Sequence, residues 1–231
     1  MHDAERGGFN ATVFVVDNDA GTRRALAWLL EAADLRVETF ESAEAFLETG
    51  TGERPGCLVL DLRLPGMSGA ALQERLELLG IDLPVIIITG FADVPTAVRV
   101  LKCGAFDFIE KPFEDDLLLE RVQQAIVADA RCRRARADRA AMIARLARLT
   151  VREREVFDQV VHGKANKVVA IEFGISEKTV EAHRARVMQK LGATSLAELV
   201  RMDLLAAPPE LLVPALMRAP SASLPAYGPG A

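Results

Sequence analysis

Three classes of protein are excluded by what this chain lacks. It has three cysteines, Cys57, Cys103 and Cys132, odd in number and with no short spacing between any two. That leaves neither a disulfide framework nor a CxxC zinc site. The first residues, MHDAERGGFN, hold no basic stretch followed by an apolar one, so no signal peptide is expected. No apolar run approaches the ~18 residues a membrane helix needs. A cytoplasmic protein is the expectation, without a membrane partner. There is no internal repeat. Half of the 231 residues are hydrophobic and 26% are charged, an ordinary composition for two folded domains rather than a disordered chain.

Positive charge is also scarce overall, with a formal net charge of −5 that by itself argues against a nucleic-acid partner. The average hides two opposed regions. Residues 1–130 carry 11 Lys and Arg against 23 Asp and Glu, a balance of −12. Residues 131–205 carry 16 against 9, a balance of +7. Such asymmetry points to separate tasks, and a basic module can neutralise phosphates even in an acidic chain.

The acidic half alternates short apolar runs with helical patterns. TVFVVD (Thr12–Asp17), CLVLD (Cys57–Asp61), PVIIIT (Pro84–Thr89) and FDFIE (Phe106–Glu110) read as buried strands, with VETF (Val37–Phe40) a weaker fifth. Between them Leu26, Leu29, Leu30 and Ala33 fall at helical spacing, as do Leu72, Leu76 and Leu79. This pattern predicts an α/β fold, a doubly wound five-stranded parallel sheet. In such a sheet the functional groups gather at the carboxyl ends of the strands. There stand Asp17, Asn18 and Asp19 after the first strand, Asp61 ending the third, Thr89 ending the fourth and Lys111 after the fifth. Clustered carboxylates hold a hard divalent ion such as Mg²⁺, while a lysine and a threonine beside them meet a phosphoryl group. An aspartate there is a candidate phosphoryl acceptor. Each signal alone is more often a turn former, but four on four strand ends in one order are hard to dismiss.

The segments DLRLPGMSG, ITGFADVPTAV and GAFDFIEKPFEDD resemble the receiver domain of two-component response regulators of the FixJ type, over residues 11–127. The resemblance implies that Asp61 takes a phosphoryl group from a sensor histidine kinase, with Lys111 pairing its oxygens. It implies Thr89 and Phe108 as a switch pair, a cis bond before Pro112, and a Mg²⁺ site of Asp17, Asn18, Asp61 and the Met67 carbonyl. Asn18 departs from the usual second carboxylate, and losing one charged ligand should weaken the metal. Asp19 is placed to point away from the site on a regular strand end.

From Asp115 a helical pattern runs to about Leu149, rich in arginine and poor in large apolar residues, which suits a solvated linker helix over 128–148. A small all-α domain then spans 149–207. Thr150 with Glu153 forms a capping box, Ser195 with Glu198 a second, Asn166 and Ser176 cap the helices between, and Gly163, Gly174 and Gly192 stop them. Short helices joined by a glycine turn fit a helix-turn-helix, and the helix after Ser176 offers a basic face. A charge run of this kind is ordinarily a solvated face. Here TVREREV, NKVVA and SEKTVEAHRARVMQKLG resemble the LuxR/NarL-type DNA-binding domain. That resemblance implies a recognition helix Ser176–Leu191, with Glu181, Ala182 and Arg184 at base edges. Lys167, Thr179, His183 and Lys190 would lie along phosphates, and Lys178 shares the exposed basic face.

The joint reading is a two-component transcriptional regulator, not an enzyme. It implies double-stranded DNA, a sensor histidine kinase and RNA polymerase as partners, and a homodimer formed on phosphorylation through about Val94–Ile109. Two other readings stay open. One is a phosphorylation-independent DNA-binding regulator with a degenerate receiver, resting on Asn18. The other is a phosphohydrolase, which expects a DxD pair where Asp61 is followed by Leu62 and Arg63. Residues 1–10 are expected to be a tail, and 208–231, rich in Pro, Ala and Ser, a disordered one.

Overall fold

A computed structural model describes residues 11–50, 54–90, 98 and 100–207 of the chain. The segments 1–10 and 208–231, expected to be tails, lie outside the described residues, as does most of Val94–Val100. The chain divides into two compact units that meet in sequence at Arg134 and Ala135.

In the first unit β1 (Thr12–Val16), β2 (Arg36–Phe40), β3 (Gly56–Asp61), β4 (Val85–Thr89) and β5 (Asp107–Glu110) form one sheet in the order β2-β1-β3-β4-β5. All neighbours are parallel. Every residue of β1, β3 and β4 is buried, as near-continuous apolar runs in a sheet covered on both faces are, whereas β2 and β5 are partly exposed edges. Side chains alternate between two cores. Val13, Val15, Cys57, Val59, Ile86 and Ile88 pack with Leu26 and Leu30 of α1 (Ala20–Ala32) and with Leu118 and Val122 of α4 (Asp115–Leu146). Phe14, Val16, Leu58, Leu60 and Ile87 pack with Phe46 of α2 (Ala43–Glu48) and Leu72 and Leu76 of α3 (Gly69–Leu78). Each such side chain contributes about 1.5–3 kcal/mol on burial. Leu79 does not share the stripe with Leu72 and Leu76. It is the C-cap of α3 and 51% exposed, because the helix stops one residue short of it.

The helical pattern expected from Asp115 to about Leu149 is a single helix, α4, which ends at Leu146 and includes most of the stretch 128–148. Most of residues 128–148 are exposed. Asp129 is buried, and Met142 and Leu146 belong to the core of the second unit.

That second core joins Val156, Phe157 and Val160 of α5 (Val151–Val161), Val169 and Ala170 of α6 (Asn166–Phe173), Val180, Val187 and Leu191 of α7 (Glu177–Leu191), and Leu199 and Met202 of α8 (Leu196–Ala206). Thr150 and Glu153 form the capping box. Gly174 and Gly192 close α6 and α7 in left-handed conformations that other residues resist. Two caps differ from expectation. Ala165, not Asn166, is the N-cap of α6, and its methyl group offers no capping bond, while Asn166 Oδ1 accepts from Arg184 instead. Ser195 caps α8, but Glu198 reaches past it to the Thr194 N–H at 2.6 Å and the Thr194 hydroxyl at 3.1 Å.

Candidate functional site

The strand registers bring the polar residues of the first unit to one edge. Val16 lies beside Leu60, so the next residues, Asp17 and Asp61, emerge level with each other. Asp61 in turn lies beside Ile88 and Thr89 beside Glu110, which places Lys111 at the same edge. The order β2-β1-β3 makes this the point where the chain switches direction across the sheet, where a crevice opens.

At that edge the Lys111 ammonium donates to Asp17 Oδ2 at 2.7 Å and to Asp61 Oδ2 at 3.0 Å. The remaining carboxylate oxygens are also held: Asp17 Oδ1 accepts from the Asp19 N–H at 2.8 Å and Asp61 Oδ1 from the Arg63 N–H at 3.0 Å. Asp17 is wholly buried and Asp61 nearly so. Burial works against the charge on Lys111, but the hydrogen bonds and charges of Asp17 and Asp61 outweigh it and raise its pKa. The Lys111 N–H donates to the carbonyl of buried Thr89 at 2.8 Å, and a cis bond leads from Lys111 into Pro112.

The other expected residues are less tightly gathered. Asn18 is exposed. Asp19 is the N-cap of α1; its carboxylate accepts from the Thr22 N–H at 2.6 Å, and that bond leads the causes lowering its pKa. Phe108 is half-buried against the core on the α2–α3 side. Met67 is half-buried, with its N–H bound to the Glu44 carboxylate at 2.9 Å. Among the described residues no three metal-ligating side chains of the carboxylate, imidazole or thiolate kind converge. The donor set is two carboxylates with amide and carbonyl oxygens near them in sequence, all hard oxygen ligands of the kind Mg²⁺ takes.

Sequence reasoning missed three supports of this edge. Arg23 donates to the Asp17 carbonyl at 2.6 Å, and Glu44 holds the Met67 loop from 23 positions away. At Gly69 a Cβ would sit 2.3 Å from the Asp61 carbonyl oxygen, so only glycine lets α3 start so close to β3. The glycine in PGMSG was the one local signal for any of these.

In the second unit α7 presents Lys178, Thr179, Glu181 and Ala182 to solvent, while His183 and Arg184 are half-buried. Thr179 lies within the N-cap, 2.8 Å by its hydroxyl from Ser176 Oγ. Arg184 donates to Asn166 Oδ1 at 3.2 Å, linking the two helices of the motif. His183 Nδ1 is buried without a hydrogen-bond partner. Lys167 is exposed at the start of α6. Lys190 is not a freely offered cation: its ammonium is 2.6 Å from Glu153 Oε2, inside the α5 capping box.

Residues 13–123 match the response regulator receiver domain, and residues 147–203 match the luxR family of bacterial regulatory proteins. The transcriptional regulatory protein FixJ of Azorhizobium caulinodans is 45% identical over 194 residues, covering 84% of this chain and 92% of that one. FixJ of Rhizobium meliloti is 46% identical over 197 residues, covering 84% and 95%. Among solved structures, the response regulator StyR is 44% identical with a TM-score of 0.76, covering 84% of this chain and 98% of that one. Among the described residues no helix is long and apolar enough to cross a membrane. With both halves matched and relatives of this similarity spanned nearly end to end, the chain belongs to the response regulators that carry a receiver domain followed by a luxR-family regulatory domain.

Proposed function

We propose that this chain accepts a phosphoryl group on Asp61 from the phosphohistidine of a sensor kinase and, so modified, binds promoter DNA as a dimer to regulate transcription. The family is one of transcription regulators rather than enzymes, and the transfer is a self-modification that ends on the protein. The observation that carries the reading is the Lys111 ammonium shared between Asp17 and Asp61.

In the transfer a carboxylate oxygen of Asp61 attacks phosphorus, the P–N bond to the donor histidine breaks, and an acyl phosphate forms. Lys111 already stands 3.0 Å from that carboxylate, so it meets the phosphoryl oxygens without rearranging its backbone. Asp17, Asp61, the Asn18 amide and the Met67 carbonyl are the oxygens that would hold Mg²⁺, which supplies neutralisation of charge on the phosphoryl group. Asn18 removes one negative ligand, yet the Asp17–Lys111–Asp61 constellation remains assembled, which supports a competent receiver over a degenerate one. Thr89 ends β4 at the same edge and supports the switch role, while Phe108 lies on the adjacent strand β5 opposite Ile87, two residues before Thr89.

On the DNA side, Glu181, Ala182 and Arg184 read bases, and Lys167, Lys178, Thr179 and His183 meet phosphates. Lys190 joins them only by exchanging Glu153 for a phosphate. Dimerisation through about Val94–Ile109 and contact with RNA polymerase belong to the same proposal. The test is intact-mass measurement of the chain after acetyl phosphate with Mg²⁺, followed by DNA binding of both forms. One phosphoryl group on the wild type, none on Asp61→Asn and tighter DNA binding by the labelled form are expected. An unlabelled wild type at saturating Mg²⁺ overturns the reading.

A further inference from the structure

The edge of the sheet opposite Asp61 holds a polar network that nothing in the phosphoryl chemistry requires. Strand β3 begins at Gly56, whose N–H donates to Asp129 Oδ2 of α4 at 2.9 Å across 73 positions. Asp129 is 2% exposed, so its charge is held away from water. Arg133, one turn further on, sets its Nε against both oxygens of Asp129, at 2.9 and 2.8 Å, and donates from NH2 to the Arg54 carbonyl at 2.7 Å. Arg54 in turn donates to the Glu38 carboxylate, at 2.7 Å from NH1, and to Thr12 Oγ1 at 3.3 Å, so the starts of β1 and β3 are tied to the middle of β2.

Gly56 itself admits no other residue. Its φ is +150°, and a Cβ would lie 1.8 Å from the Thr12 carbonyl oxygen. A buried carboxylate is costly unless paired and hydrogen-bonded, and here the Arg133 guanidinium pairs it and the Gly56 N–H bonds it. Hydrophobic packing already holds the first turns of α4, through Leu118, Val122 and Ala125. The Asp129 network lies beyond them, on the turns where the helix leaves the receiver for the next unit.

We propose that Asp129 and Arg133 are positioning residues that couple the linker helix to the phosphoacceptor strand. The same six residues of β3 carry Asp61 at one end and the Gly56 N–H at the other, bound by α4. A change in the strand at Asp61 therefore reaches the linker through a directional hydrogen bond to a buried charge rather than through deformable apolar contact. The inference rests on the proposed phosphorylation control of DNA binding.

The test separates coupling from plain stability. Asp129→Asn keeps an oxygen for the Gly56 N–H but removes the charge that Arg133 pairs, and Arg133→Lys keeps the charge but loses the fork that reaches Arg54. For wild type and both variants the full chain is labelled with acetyl phosphate, and DNA affinity is measured before and after. Wild-type labelling is expected to tighten DNA binding by about 5- to 150-fold, the usual span of allosteric coupling. Each variant should be labelled at the wild-type rate while that factor falls by about 2- to 30-fold. Variants with lowered thermal midpoints but an unchanged factor overturn the inference and leave the functional reading intact. A wild type that is labelled without any change in DNA affinity overturns both. Should Asp129→Asn not fold, the factor measured on Arg133→Lys decides alone.

Discussion

The two units handle charge in opposite ways. In the receiver, Asp17, Asp61 and Thr89 are buried, and their partner Lys111 comes from 94 and 50 positions away along the chain. In the helical unit the candidate DNA-contacting residues lie on α7, with Lys167 on α6, and are mostly exposed, and their ties run to caps and neighbouring helices. A site that must hold several charges close together needs a sheet to bring strand ends level and a low-dielectric setting to make few contacts strong. A surface that must follow a charged polymer needs cations free to reach out, each worth little alone. The comparison predicts that single substitutions are severe in the receiver and moderate in the helical unit.

The largest effect is expected at Lys111. Lys111→Met leaves two carboxylates facing each other with their shared cation gone. Breaking a buried pair costs about 3–5 kcal/mol, and the partial exposure of Lys111 puts the loss near about 3 kcal/mol. Urea unfolding of the receiver unit checks it, and the double change Lys111→Met with Asp17→Asn should recover much of the loss by removing the repulsion. A loss below about 1 kcal/mol would show that solvent already screens the site and would break the contrast with the helical unit.

On the helical side, Arg184→Ala is expected to cost about 1–3 kcal/mol of DNA affinity and to relax preference at one base position. The free protein holds Arg184 on Asn166 at 3.2 Å, a long bond that is exchanged rather than simply gained on binding, so the lower part of that span is expected. Competition titrations with operator variants at fixed salt measure both. A uniform loss across all sequences would make Arg184 a phosphate contact instead.

Legibility followed the same division. All five strands were readable to within a residue or so, because runs such as VIIIT and TVFVV are buried on both faces and carry no competing pattern. The order of the strand-end residues then pointed to the acidic edge. What sequence could not give was which oxygens meet which donors. Asp19 is expected from its strand-end position to point away from the site, but its bond as the cap of α1 depends on the helix that follows it. The capping residues show the limit in small. Thr150 and Glu153 form the expected box, yet Glu198 passes over Ser195 to Thr194, and Asn166 gives its oxygen to Arg184. Local spacing names candidates for a bond, and tertiary neighbours decide among them. The linker was half legible: its arginine-rich middle is solvated, but nothing in the sequence of Asp129 and Arg133 announces a partner as far off as Gly56.

Asn18 offers a way to sharpen the receiver's side. Asn18→Asp adds a negative ligand beside Asp17 and Asp61, which strengthens attraction for Mg²⁺ and also increases carboxylate crowding. The exposed position of Asn18 keeps the crowding small, so attraction dominates. An affinity gain of about tenfold is expected, together with faster labelling by acetyl phosphate. A Mg²⁺ titration followed through Trp28, or through labelling rate at graded Mg²⁺, reads it. Equal affinities would show that the existing oxygens already satisfy the ion.

The smallest and most local test concerns Glu153, a buried charge of the helical unit that resembles the receiver's. Glu153 is 4% exposed, accepts from Lys190 Nζ at 2.6 Å and from the Thr150 N–H at 2.8 Å. The Lys190 hydrogen bond first, and the Thr150 backbone bond next, push its pKa down to about 2 from the ordinary 4.5. A carboxyl depressed in the folded state binds fewer protons there than in the unfolded chain between those two values. Its contribution is therefore complete above about pH 4.5 and is lost as pH falls towards about 2. The thermal midpoint of the helical unit should drop across that window, and Glu153→Gln should flatten the drop while lowering the midpoint at neutral pH. Lys190→Gln should flatten it partly, because the Thr150 N–H remains. If the midpoint is insensitive to pH in that window, Lys190 is not bound to Glu153 in solution, and its ammonium is then available to a DNA phosphate in the free protein.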